Sequence, residues 1–163
     1  MKARTLIIAL LAATEATDIP STGTTSLRED AAKKDILIGS GAINPTYLDD
    51  PQFAAVLAEQ FNSLSPENEL KGVFVNPTKG HYDWDSLDRL VAFAADNDMV
   101  VKGHGLISGC CNPDYILNIT DPTALRAAMT AHFEAVMHRY DGKMDTWVEA
   151  VSRSLSRPRT ELM

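Results

Sequence analysis

Short apolar runs that alternate with amphipathic patterns restrict this chain more than any other feature. Ile36–Ala42, Phe61–Leu64 and Val100–Leu106 read as strands, with Met144–Val148 as a fourth. Between them apolar residues recur at helical spacing. Phe53, Val56, Leu57 and Gln60 follow the first run, Leu87, Leu90, Val91, Ala94 and Ala95 the second, and Leu125, Ala128, Met129, His132, Phe133 and Val136 the third. Asp50–Pro51 and Asp121–Pro122 each supply a capping carboxylate and a proline whose missing N–H would be unpaired at a helix start anyway. Asp85 takes the same capping place before the middle pattern, and a short helix, Leu27–Lys34, precedes the first strand. Strands separated by helices give parallel β/α units with right-handed crossovers. The run VVKGHGL is apolar enough to be buried on both faces, as parallel sheets require. Periodicity alone permits a barrel or a doubly wound open sheet.

At 163 residues, 45% apolar and 23% charged, the chain has the content of one globular domain. A closed (β/α)₈ barrel takes about 250 residues, so this length is too short to close one. The formal charge of −7 argues against nucleic acid and anionic membranes as partners. Met1–Ala16 sets Lys2 and Arg4 ahead of the apolar run Leu6–Ala13, the layout of a signal peptide, and predicts a secreted protein. Residues 17–26 read as a linker, 27–150 as the domain, and 151–163 as a tail without strand or helix period. Cys110 and Cys111 are adjacent, which gives neither a disulfide framework nor CxxC metal spacing, and His104 alone makes no zinc site. No metal or cofactor is expected.

The polar cluster of the chain is FNSLSPENELK, Phe61–Lys71. Pro66 has no N–H to donate and stops the strand, so Glu67, Asn68, Glu69 and Lys71 fall on the loop that follows. Two carboxylates, an amide and an ammonium form a donor and acceptor set suited to hydroxyl-rich ligands. The same residues also suit a helix N-terminus, with Ser65 as cap, Pro66 first and acidic residues in the first turn. Local chemistry on its own favours the cap, because acidic first turns are common.

NSLSPENELK, followed by DSLDRLVAFAADNDM and VVKGHGL in that order, resembles glycoside hydrolase family 10, the retaining endo-1,4-β-xylanases, over about Leu37–Trp147. The resemblance implies an α/β fold of (β/α)₈ TIM-barrel type, truncated to about the first four β/α units. It implies that Glu67, Asn68, Lys71 and His104 bind the hydroxyls of β-1,4-xylan or a xylo-oligosaccharide. Where the family has an aromatic residue after GHxL this chain has Ser108, and Tyr115 stands where the family commonly has Trp. The family's acid/base glutamate follows its fourth strand in a WDVVNE-like run. Glu149 is the candidate here, two residues after Trp147, which requires the loss of three residues. The nucleophile belongs to a later strand, and Thr160–Leu162 is read as a chance echo of its motif.

Two functions follow as expectations: a truncated xylanase-type glycosidase, and a non-catalytic carbohydrate-binding or vestigial half-barrel. Four strands would leave Ile38, Phe61, Leu64, Val100 and Val101 uncovered and would expose unpaired sheet edges, which predicts self-association.

Overall fold

The computed structural model describes residues 25–108, 110–144 and 146–148. The expected signal peptide, most of the linker and the tail 151–163 lie outside the described residues.

Helix α1 (Leu27–Ala32) leads into strand β1 (Gly39–Ile43), a 3₁₀ turn (Pro45–Asp49) and helix α2 (Pro51–Gln60). Strand β2 (Ser63–Pro66) is followed by a short helix α3 (Gly72–Val75) and then α4 (Asp85–Asp96). Strand β3 (Val100–His104) precedes α5 (Asp114–Leu117), the long α6 (Pro122–Arg139) and strand β4 (Thr146–Val148). The strands pair in the order β1-β2-β3-β4, and every pairing is parallel.

The helix starts follow their local chemistry. The Asp50 carboxylate accepts from the N–H of Gln52 at 2.8 Å, and that of Asp121 from Ala124 at 2.7 Å, each beside a proline in the first turn. Ser26 and Glu29 form a reciprocal capping box on α1. The expected cap at Asp85 is corrected: Trp84 is the N-cap of α4 without a side-chain bond, and Asp85 is already helical. Its N–H donates to the Asp83 carboxylate at 3.3 Å.

Register sets Ser63 opposite Val100 and Leu64 opposite Val101, so Leu64, Pro66, Val101 and Gly103 alternate onto the buried face. That face packs on Leu57 of α2, on Leu87, Leu90, Val91 and Ala94 of α4, and on Val136 of α6. The other face carries Ser63, Ser65 and Lys102 and is open. Two expectations are therefore corrected. β3 is not buried on both faces, since Lys102 is exposed, and Leu64 and Val101 are each only 1% exposed rather than uncovered.

The first strand also starts later than expected. The Asn62 side chain accepts from the Ile38 N–H at 2.7 Å, and its backbone N–H donates to the Ile38 carbonyl at 3.1 Å. These bonds hold the approach to the sheet without ladder pairing, and Ile36 and Leu37 stay more than half exposed. Pro66, expected to end the strand before it, is the last residue of β2 and sits opposite Ile43. A proline is tolerated there because its carbonyl remains available and the next N–H, that of Glu67, donates to the Ile43 carbonyl at 3.1 Å.

Polar ties bind the helices across the layer. The Arg28 guanidinium donates to the carbonyls of Ala58, Asn97 and Asp98, and so joins α1 to the ends of α2 and α4. Asp88 of α4 accepts from Arg139 and from the hydroxyl of buried Tyr140, the latter at 2.8 Å. Arg139 also lies 4.8 Å over the Trp84 ring, which stacks on Tyr82. Among the described residues no helix is long and apolar enough to cross a membrane.

Leu90 is fully buried, so Leu90→Ala is expected to cost about 2–5 kcal/mol, read as a lower urea midpoint. His132 is 3% exposed, and among the described residues its ring nitrogens make no well-aligned hydrogen bond, with the Leu106 backbone close by. Burial holds its pKa below the ordinary value, partly offset by the Leu106 backbone. The unfolded chain then binds the proton more readily than the folded one. Stability is full above about pH 6.5 and is expected to fall as pH drops through that value toward the depressed folded pKa. Melting temperatures at pH 7 and pH 5 check this, and His132→Phe should flatten the difference.

Candidate functional site

Because the strands are parallel, their C-terminal ends meet at one edge of the sheet. The end of β1 presents Asn44, the end of β2 presents Glu67, Asn68 and Lys71, and β3 ends on His104. The segment after Pro66 is a loop and not a helix start, so the capping alternative for Ser65 is overturned. The Ser65 hydroxyl instead donates to the Lys102 carbonyl of the neighbouring strand at 3.1 Å.

Within the loop the polar groups order one another. The Lys71 ammonium donates to the Asn68 side-chain carbonyl at 2.7 Å, and the Asn68 N–H donates to the Glu69 carboxylate at 2.8 Å. Glu69 is buried, and its carboxylate shapes the loop from within. Glu67, Asn68 and Lys71 remain half-buried, with part of each surface open to solvent. The Lys71 stem runs beside Gly105, where an added Cβ would meet its Cγ at 3.4 Å, and Gly105 holds a φ of +90° that favours glycine.

Asn44 is a member of this cluster that sequence reasoning did not single out. Its amide nitrogen donates to Glu67 at 3.3 Å, while its carbonyl oxygen accepts from the N–H of Thr46 at 3.0 Å and from the Thr46 hydroxyl at 2.8 Å. The ladder between β1 and β2 is irregular between Ser40 and Ile43, where Ala42 has φ +55°, and this bulge sets Ile43 opposite Pro66. A signal was legible in Asn44–Pro45, a turn-forming pair, but its partner depended on strand pairing.

His104 faces the open side with Ser65 and Lys102, along a groove of about 910 Å³ that runs over the sheet and includes Gly39, Gly41 and Trp147. Of the four candidate residues His104 alone lines that groove; Glu67, Asn68 and Lys71 lie outside it, on the loop after β2. Beyond β3, the Asn112 side chain accepts from the Ser108 N–H at 3.4 Å and donates to the Ser108 carbonyl at 2.6 Å, and the Tyr115 hydroxyl donates to the side-chain carbonyl of buried Asn76. That bond fixes Tyr115 by its polar tip, and Asn76 in turn holds the turn carbonyls of Thr78 and His81. Glu149 lies outside the described residues. Among the described residues no group of three His, Cys, Asp or Glu side chains could hold a metal ion.

Gly103 sits against Trp147, whose ring would lie 2.6 Å from a Cβ added there. Gly103→Ala is therefore expected to displace Trp147 from β3 and to cost about 1–3 kcal/mol, read as a shift in tryptophan emission and a lower midpoint of unfolding.

Comparison with known proteins agrees with this arrangement. Residues 26–157 match the sequence profile of Glycosyl hydrolase family 10. The chain is 37% identical over 134 residues to endo-1,4-beta-xylanase C of Paenibacillus barcinonensis, covering 72% of this chain and 12% of that protein. It is 31% identical over 126 residues to endo-1,4-beta-xylanase A of Xylanibacter ruminicola, covering 73% of this chain and 34% of the relative. Xylanase 10B from Thermotoga petrophila RKU-1, solved in complex with xylobiose, superposes with a TM-score of 0.72 at 30% identity, over 78% of this chain and 40% of that one. The chain thus spans between 12% and 40% of the length of these relatives. The neighbours are TIM barrels, and the four parallel strands with their helices are β/α units of that fold. With its profile matched over residues 26–157 and its strand ends gathered as in that barrel, the chain belongs to glycosyl hydrolase family 10.

Proposed function

We propose that this chain serves the hydrolysis of β-1,4-xylan, binding the sugar at the ends of β2 and β3. The observation that carries the reading is the convergence of Glu67, Asn68 and Lys71 with His104 at one edge of a parallel sheet in a family 10 chain. That edge is where TIM-barrel enzymes hold their chemistry. Glu67 supplies acceptors for sugar hydroxyls, Lys71 supplies donors, and Asn68 and His104 supply both. Retaining hydrolysis needs two carboxyl groups about 5–5.5 Å apart, one protonating the leaving oxygen and one attacking the anomeric carbon. Glu149 is the residue proposed for the acid/base, and the sequence offers no assigned nucleophile. A xylan substrate implies secretion, in keeping with the signal-like Met1–Ala16.

A second reading, sugar binding without turnover, is favoured by one feature. Trp147 and Glu149 are two residues apart, and at about 3.3 Å per residue the loss of three residues displaces a carboxylate by several ångströms from the place the family gives it. Release of reducing ends from xylan by the full chain, set against Glu149→Ala, separates the two. Turnover lost in the variant supports hydrolysis through Glu149, whereas binding with no turnover in either supports the second reading.

Glu67→Ala removes a charged hydrogen-bonding group worth about 1.5–3 kcal/mol, or roughly ten- to hundredfold in affinity for xylohexaose. The melting temperature is expected to stay within a few degrees, because Glu67 lies outside the apolar core. Unchanged binding with a large loss of stability would make Glu67 a structural residue.

A further inference from the structure

We propose that Cys110 and Cys111 are an oxidation-sensitive dithiol that closes to a vicinal disulfide with a small-molecule disulfide as oxidant, and that closure loosens the start of α3 that carries Lys71. Both cysteines are free; Cys110 is exposed and Cys111 partly so. Consecutive side chains of an extended chain point to opposite sides. The left-handed φ of +65° at Cys111 breaks that alternation, and the two sulfurs lie 2.7 Å apart, against about 2.05 Å for the bond itself. Neighbouring Cα atoms are about 3.8 Å apart, below the usual span of about 4.4–6.8 Å for a disulfide. Such a ring is strained and readily reduced, which suits a reversible switch rather than a permanent staple.

The two thiols are also made unequal. The Cys111 thiol, then Ser108 and the Lys71 ammonium, hold the Cys110 pKa below the ordinary thiol value, while the same contact pushes Cys111 up. Cys110 is therefore the attacking sulfur. Its thiolate displaces one thiolate from the oxidant and forms a mixed disulfide. Cys111, on losing its proton, then attacks the Cys110 sulfur and expels the second thiolate. The oxidant gains two electrons and, with the two protons from the protein thiols, leaves as two thiols.

The ring is joined to the polar loop by backbone. The Cys111 carbonyl accepts from the N–H of Val73 in α3 at 3.1 Å, and Pro113 packs against Gly72 so closely that an added Cβ there would lie 2.8 Å from its Cδ. Lys71 is the N-cap of α3 and its ammonium holds Asn68. Closing the ring changes the backbone dihedrals at Cys111, so it moves the Cys111 carbonyl that Val73 uses, and through it the Lys71–Asn68 pair. The effect on sugar affinity rests on the xylan reading; ring closure and the loosening of α3 do not.

The test exposes the full chain to oxidised glutathione, alkylates the remaining thiols and weighs the product. The expected result is a loss of two hydrogens with both cysteines protected, reversed by dithiothreitol, and faster exchange of the Val73 amide. Cys111→Ser should stop at a glutathione adduct on Cys110. Unreacted thiols, a lasting adduct in the unsubstituted chain, or a bond between two chains would overturn the switch, and unchanged Val73 protection would overturn its link to α3. Xylohexaose affinity, measured reduced and oxidised, is expected to fall about tenfold on closure. A chain that closes the ring and frees Val73 but binds no sugar in either state refutes the xylan reading alone.

Discussion

Among the described residues, the placement of the polar side chains at the strand ends depends on a two-residue alternation set where Leu64 and Val101 meet across a parallel ladder. These two side chains are almost wholly buried between sheet and helices, and a slip by one residue would exchange them for Ser63, Ser65 or Lys102. Burying the Lys102 ammonium in place of Val101 would desolvate a charge without a partner, so the register has no neighbouring alternative. Once it is set, His104 is committed to the open face and Gly103 to the contact with Trp147. The ends of β1, β2 and β3 are then level, and residues distant in sequence become one polar edge.

The helices hold that register from behind. Apolar contact from α2, α4 and α6 supplies the area, and directional bonds remove the freedom to slide. Arg28 satisfies carbonyls at the ends of two helices, groups that have no partner within their own helix. Asp88 and Tyr140 close the layer between α4 and α6, and burial together with Asp88 pushes the Tyr140 hydroxyl well above its ordinary pKa, so it remains a donor. His132 is the exception in this layer, a buried ring whose nitrogens make no well-aligned hydrogen bond among the described residues.

At the polar edge the design is one of mutual restraint. Buried Glu69 orders the backbone of Asn68, Asn68 receives Lys71, and Asn44 reaches across from β1 to Glu67. Side chains held this way lose less entropy when a ligand takes them up, which is how preorganisation raises affinity. The loop after β3 carries Ser108 and two thiols near Lys71.

Much of this was legible in the sequence alone. The β/α alternation and the caps at Asp50 and Asp121 could be read from it, because caps and periodicity are local physics, whereas Glu67, Asn68, Lys71 and His104 stood out as a set only through the family resemblance. Local chemistry favoured a helix cap at Ser65–Glu67; Pro66 closing β2 against Ile43 ruled that cap out. Local chemistry did not show which apolar strand residues would be covered, why Ile36 and Leu37 stay outside β1, or that Asn44 serves Glu67. Those outcomes rest on pairings between residues about twenty to forty positions apart, and a hydrogen bond across a ladder leaves no periodicity in either strand. The sequence by itself determined the main alternation of strands and helices, because apolar periodicity and helix caps act locally. Tertiary structure decided which of them meet, because only the parallel register brings the strand ends together.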